Sequence, residues 1–141
     1  MADAHGKTLA RIHRVRTLQL GLTRADEARA HDKFASEQAL SGRIALLAEA
    51  VAPVHETQVA VSLGAAAHYR DRLQQSANAA VERVQVAEYH VERAAEATRA
   101  AKRDQSAVEK LLARADADAV LKAIRAMEEA PAFRKVRHDP C

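Results

Sequence analysis

The sequence predicts an all-α fold: an elongated, antiparallel two-helix coiled-coil hairpin in which the second helix is the longer. Three observations predict it. A strict three-four alternation of small or apolar residues runs through Leu73, Ala77, Ala80, Val84, Ala87, Val91, Ala94, Thr98, Ala101, Gln105, Val108 and Leu112. It averages the roughly 3.5-residue repeat that keeps one helix stripe facing another helix. No proline or glycine interrupts the chain from Ala65 to Ala130. Finally, among the 141 residues aromatics are only 3%, Trp is absent, and Gly and Pro number 4 and 3. That is too little ring bulk and turn chemistry for a thick globular core. Alanine dominates instead, with the best intrinsic helix propensity and a side chain small enough to let two backbones approach closely. The 141 residues suit one domain.

Residues 1–6 read as a frayed start. The first helix is expected over about 7–52, with apolar positions at Leu9, Ile12, Val15, Leu18, Leu22 and Ala25, then Phe34, Leu40, Ile44, Leu47 and Val51. The set 15, 18, 22, 25 and the set 40, 44, 47, 51 both keep the heptad step, in different phases. The phase shift is expected near Arg29 to Glu37, where Arg29, Asp32 and Lys33 occupy would-be seam positions; such a stutter relaxes the supercoil locally. Gly21 and Gly42 each cost this helix about 1 kcal/mol relative to Ala. Pro53 ends it, because the residue before a proline is pushed out of the α region. Residues 53–61 form a connection. Ser62 is a candidate N-cap for the second helix, over about 62–130, whose first turn holds Gly64. Pro131 and a basic tail, 131–141, follow.

Two long helices with a short connection lie antiparallel. A bend centred near residue 57 places position i opposite roughly position 115 minus i, so Leu9 falls near Gln105 or Ser106 and Val15 near Ala100. The second helix then overshoots the first over about Val108 to Glu129, some 30 Å at about 1.5 Å per residue. Val108, Leu111, Leu112, Val120, Leu121, Ile124 and Met127 lie there, and apolar residues repeated along an unpaired helix mark a partner surface. The alternative is a fold-back at Asp116 to Asp118, since Asp competes for backbone amides, making a short third helix against the hairpin. Periodicity does not separate the two.

Charge adds a second surface. Lys7, Arg11, Arg14, Arg16 and Arg24 occur with no acid between Lys7 and Asp26, and Lys7, Arg11 and Arg14 share a helix face. Arg134, Lys135 and Arg137 join this basic pole if the tail stays near it, and clustered positive charge attracts acidic partners. The alternative is an ordinary solvated face. Overall, 22 basic residues nearly balance 19 acidic ones, net +3, with a pI of about 9.3. Mixed charge of this kind points to solubility rather than to nucleic acid.

Nothing in the sequence suggests catalysis, a cofactor or a metal. The seven histidines, at 5, 13, 31, 55, 68, 90 and 138, form no i,i+4 metal pair and no HExxH. Glu128, Glu129, Asp116 and Asp118 read as solvated or capping acids. P-loop, GxGxxG and GxSxG motifs are missing, and a two-helix hairpin offers no water-poor concavity for a small-molecule substrate. Cys141 alone makes no disulfide framework, and the ending His138-Asp139-Pro140-Cys141 is not a prenylation box. No apolar run nears the ~20 residues of a membrane span, so the expected location is the cytoplasm. Thr98 and Gln105 on the seam, with Arg70 one step before it, are expected to control register at a cost in stability.

The stretch Leu9-Ala-Arg-Ile-His-Arg-Val-Arg-Thr-Leu-Gln19 resembles the start of flagellar FliJ proteins and their type III secretion relatives. His68-Tyr-Arg-Asp-Arg-Leu73 and Val108-Glu-Lys-Leu-Leu112, the size, the proline-marked bend and the longer Ala/Arg/Glu-rich second helix agree with it over nearly the whole chain. The resemblance implies a cytoplasmic, non-enzymatic stalk or adaptor of a bacterial flagellar or type III export apparatus. It implies entry into a hexameric export ATPase, contact with an export gate and, in some members, escort of unused chaperones. Carried to this chain, Leu9 to Gln19 with the basic pole and the overshoot from Val108 to Met127 would touch the ATPase ring. Gly21, Gly42 and Gly64 soften the helices more than a rigid shaft suggests, and the tail from Phe133 maps to nothing in that family. The competing readings are a generic coiled-coil scaffold or dimerisation protein, joined through the overshoot, and a basic helical nucleic-acid binder.

Overall fold

Alanine-rich segments free of internal proline fold here as two helices, α1 over Ala2–Ala50 and α2 over Ala60–Glu129. The computed structural model describes residues 2–51 and 60–130, with side chains over 5–51 and 64–130. Among the described residues there is no strand, and α2 is the longer helix. α1 begins at Ala2 rather than near residue 7. Its last backbone bond runs from the Val51 N–H to the Leu47 carbonyl at 3.2 Å. Pro53, most of the 53–61 connection and the 131–141 tail lie outside the described residues. α2 passes Asp116 and Asp118 without a break, so the fold-back into a third helix does not occur. Both acids are exposed. With their carboxylates in water, the helix formers Ala113, Ala115, Ala117, Ala119 and Leu121 carry the helix through.

The chain divides into two units: residues 18–102, and residues 1–17 with 103–141. In the first, the α2 seam read from the sequence is the packed one. Leu73, Ala77, Val84, Val91, Ala94, Thr98 and Ala101 are half-buried, while Ala80 and Ala87 are only 1% and 2% exposed. Facing them from α1 are Leu20, 4% exposed, and half-buried Thr23, Glu27, Ala30, Phe34, Glu37, Ser41, Ile44, Ala48 and Val51. This corrects the α1 seam expected from its large apolar residues. Leu18 is 69% exposed, Leu22, Leu40 and Leu47 are exposed too, and only Ile44 and Val51 of the later set are packed. The expected stutter is absent: the three-four step passes through residues 29–37, and Arg29, Asp32 and Lys33 face solvent.

The reason is size complementarity. Glu37 and Arg83 meet at 3.1 Å between the helices, and their numbers add to 120. The two seam spacings mirror each other layer by layer when the numbers add to 121. That register places Phe34 opposite Ala87, Leu20 opposite Ala101, Ile44 opposite Ala77 and, reversed, Leu73 opposite Ala48. Large side chains over alanines fill a thin interface without overpacking. A long polar residue such as Glu37 lays its stem on the seam and turns its carboxylate to Arg83 at the edge.

The other unit keeps the same antiparallel register. His13 Nε2 lies 3.2 Å from Glu109 Oε1, Arg16 Nη1 donates to Asp104 Oδ2 at 3.0 Å, and Gln105 Nε2 donates to Thr17 Oγ1 at 3.3 Å. These pairs add to 122, 120 and 122. Leu9 therefore falls opposite Leu112, not Gln105 or Ser106. The shift of about six residues arises because the first ten or so residues of α2 precede its paired stretch, placing the centre of pairing near residue 60 rather than 57.

Candidate partner-binding surface

In the unit formed by residues 1–17 and 103–141, α2 leaves the hairpin seam while still helical. Gln105, Val108, Leu112 and Ala115 are its last packed residues, and every residue from Asp116 to Ala130 is exposed. Position 119, opposite Ala2 in this register, marks where the part of α2 beyond α1 begins. The expected overshoot from Val108 is thus about eleven residues too long.

Leu121 is exposed, and the other six apolar residues of the expected overshoot divide among three places. Val108, 9% exposed, and half-buried Leu112 pack toward α1 and are not available to a partner. Leu111 is exposed and lines a shallow groove with His5, Leu9, Arg114, Ala115, Asp118 and Lys122. Val120, Ile124 and Met127, 59%, 42% and 71% exposed, remain as a free stripe.

That stripe is not the hairpin seam prolonged. At about 100° per residue, it lies about 120° around α2 from Val108, Leu112 and Ala115. It therefore faces away from α1 whatever the length of α1. Exposed Ala113 and Ala117 extend it upstream, giving Ala113, Ala117, Val120, Ile124 and Met127 at spacings of four, three, four and three. This is a second heptad seam, two turns of small residues followed by three large apolar ones. Ala113 and Ala117 escaped the sequence reading because the first seam continues through Leu112, Ala115 and Ala119, and two alanine-rich phases one residue apart look like one.

No protein-family model, curated protein or solved structure matches this chain. The surface therefore rests on its own chemistry. Of the basic set, Lys7, Arg11 and Arg14 are exposed on the side of α1 remote from its seam. Arg16 is different: half-buried on the seam, it is paired with Asp104 inside the hairpin, so its charge serves the register rather than a docking face. Arg134, Lys135 and Arg137 lie outside the described residues.

The polar seam residues sit where the sequence placed them. Thr98 Oγ1 donates to the Ala94 carbonyl at 3.1 Å, Arg70 Nε to the Ala66 carbonyl at 3.3 Å, and Gln105 crosses to Thr17. His13 is engaged with Glu109, and among the described residues no group of three His, Cys, Asp or Glu is arranged to hold a metal ion. No described helix is long and apolar enough to cross a membrane.

Proposed function

We propose that this chain is a non-enzymatic helical adaptor whose hairpin is a handle and whose α2 end is the grip. The observation that carries the proposal is the stripe Val120, Ile124 and Met127. It is large, apolar, regularly spaced and exposed on an already formed helix. A preformed helix does not lose backbone freedom on docking, so its apolar side chains contribute directly to affinity. Lys7, Arg11 and Arg14 supply a positive face that steers an acidic partner and speeds encounter.

The finer reading takes its support from the resemblance of Leu9 to Gln19, His68 to Leu73 and Val108 to Leu112 to FliJ proteins. In it, the partners are a hexameric export ATPase and an export-gate protein of a bacterial flagellar or type III apparatus. The chain works at the cytoplasmic side of the inner membrane, attached only through those partners. The stripe enters the ring, the hairpin couples ring and gate, and nucleotide hydrolysis belongs to the ATPase.

The test is capture of a purified hexameric export ATPase by the full chain. Replacing Val120, Ile124 and Met127 together by Asp should abolish capture, while Leu46→Asp, comparably exposed but off the stripe and outside Leu9 to Gln19, should leave it intact. Retained capture by the triple variant overturns the proposal.

A further inference from the structure

The second seam has a symmetry that the partner reading does not use. With Val120 and Met127 at one core position of the heptad and Ala117 and Ile124 at the other, the flanking positions hold Arg114, Leu121 and Glu128. Arg114 and Glu128 stand seven residues before and after Leu121 and carry opposite charge. We propose that α2 pairs with a second copy of itself, antiparallel, through this seam, with the two-fold axis passing beside Leu121.

Each layer of that pairing is complementary. Val120 meets Ile124 of the second copy and Ile124 meets its Val120. Ala117 meets Met127 and Met127 meets Ala117, so the bulkiest residue of the stripe falls on one of the smallest, as in the hairpin itself. Leu121, half exposed in the single chain, meets its own counterpart. On the same edge Arg114 faces Glu128 and Glu128 faces Arg114, giving two attractive pairs per dimer. On the other edge Ala123 meets Ala123 and Asp116 meets Ala130, with no like charges opposed. A parallel pairing would bring Leu121 beside Asp116 or Ala123 and leave Arg114 and Glu128 without each other. Isologous contact requires one patch to complement itself, and these residues do. The seam lies on the side of α2 away from α1, so the hairpin does not block it.

The inference uses the same stripe as the proposed adaptor role but is separable from it: self-pairing would cover the stripe until a partner displaces the second copy. Two heptads make a small interface, so the dimer should be weak, with a dissociation constant between about 1 µM and 1 mM.

Sedimentation equilibrium of the full chain over that range tests it. The wild type should pass from monomer to dimer, and Ile124→Asp should stay monomeric. Arg114→Glu and Glu128→Arg should each weaken the dimer about tenfold by turning two attractions into two repulsions. An equimolar mixture of those two variants should regain wild-type affinity, because only the mixed antiparallel pair restores both attractions. Circular dichroism of each variant should keep the wild-type helix content. A wild type that stays monomeric throughout, or a mixture no tighter than its components, overturns the pairing. Loss of ATPase capture in the triple Asp variant of a monomeric wild type would sink the self-pairing alone. A wild-type dimer beside undiminished capture by the triple variant would sink the adaptor reading alone.

Discussion

Arg16 donates to Asp104 at 3.0 Å from a position on the α1 seam, where a coiled coil ordinarily carries an apolar residue. Next to it along the helices lie the Thr17 to Gln105 hydrogen bond and the His13 to Glu109 pair. An alanine seam repeats every heptad and resists a seven-residue slip weakly. These cross-helix polar contacts discriminate, because a slip leaves half-buried polar groups without partners. Both members of the Arg16 pair are about half exposed, so their direct contribution is small, about 0 to 1 kcal/mol.

The register this cluster sets is open to direct measurement. In a Cys141→Ser background, cysteines at Leu9 and Leu112 occupy facing seam layers and should form a disulfide on mild oxidation. Cysteines at Leu9 and Gln105 are displaced by a full heptad, about 10 Å along the axis, beyond disulfide reach. Preferential oxidation of the 9 and 105 pair, read as a mobility shift on non-reducing gels, would contradict the register.

The large-over-small layers predict a coupled pair. Ala87 is 2% exposed and falls opposite Phe34 in the register whose numbers add to 121. Ala87→Leu should destabilise the hairpin by about 1–3 kcal/mol through overpacking. Phe34→Ala, at a half-buried site, should cost about 1–2 kcal/mol, below the range for fully buried rings. The double variant restores the summed volume with the sizes exchanged. It should lie at least about 1 kcal/mol above the additive expectation in urea denaturation. Additivity would mean that the two residues do not share a layer.

How legible each helix was in the sequence follows from what its seam is made of. The α2 seam holds alanines, valines and leucines at all but Thr98 and Gln105, between charged neighbours, so its period stands out and every seam position from Leu73 to Leu112 is packed. The α1 seam carries Thr23, Glu27, Glu37 and Ser41, while Leu18 and Leu22 lie outside it. Reading apolar residues as buried misplaces such a helix. It needs little grease, because the alanines opposite bring the backbones close enough for stems of polar side chains to fill the gap. The candidate surface is half legible: Val120, Ile124 and Met127 stand out in the sequence, but their separation from Val108 and Leu112 is a change of helix phase, masked by alanines on both stripes between Leu112 and Val120.

That difference is measurable within one stretch of α1. Leu20→Gln should lower stability by about 2 kcal/mol or more, removing a side chain only 4% exposed and leaving an amide at the seam. Leu18→Gln and Leu22→Gln should each stay within about 0.5 kcal/mol of wild type, as exposed substitutions do. Equal losses at all three positions would mean that α1 packs a broader face than its burial pattern shows.

Gly21 and Gly42 offer the converse test, a gain. Both lie in the interior of α1 with ordinary helical backbone, and a Cβ built on either meets nothing within 4 Å. Neither is needed for a turn, a close approach or a left-handed conformation, so each only lowers helix propensity and widens the unfolded ensemble. Gly21→Ala and Gly42→Ala should each stabilise the hairpin by up to about 1 kcal/mol, raising the thermal midpoint by about 4 °C apiece. The two sites are 21 residues apart on one helix with no shared neighbour, so the gains should add. If the doubly substituted chain is more stable yet captures its partner less well, the glycines serve as compliance in α1. If capture is unchanged, the stiffness of α1 does not limit binding at the far end of α2.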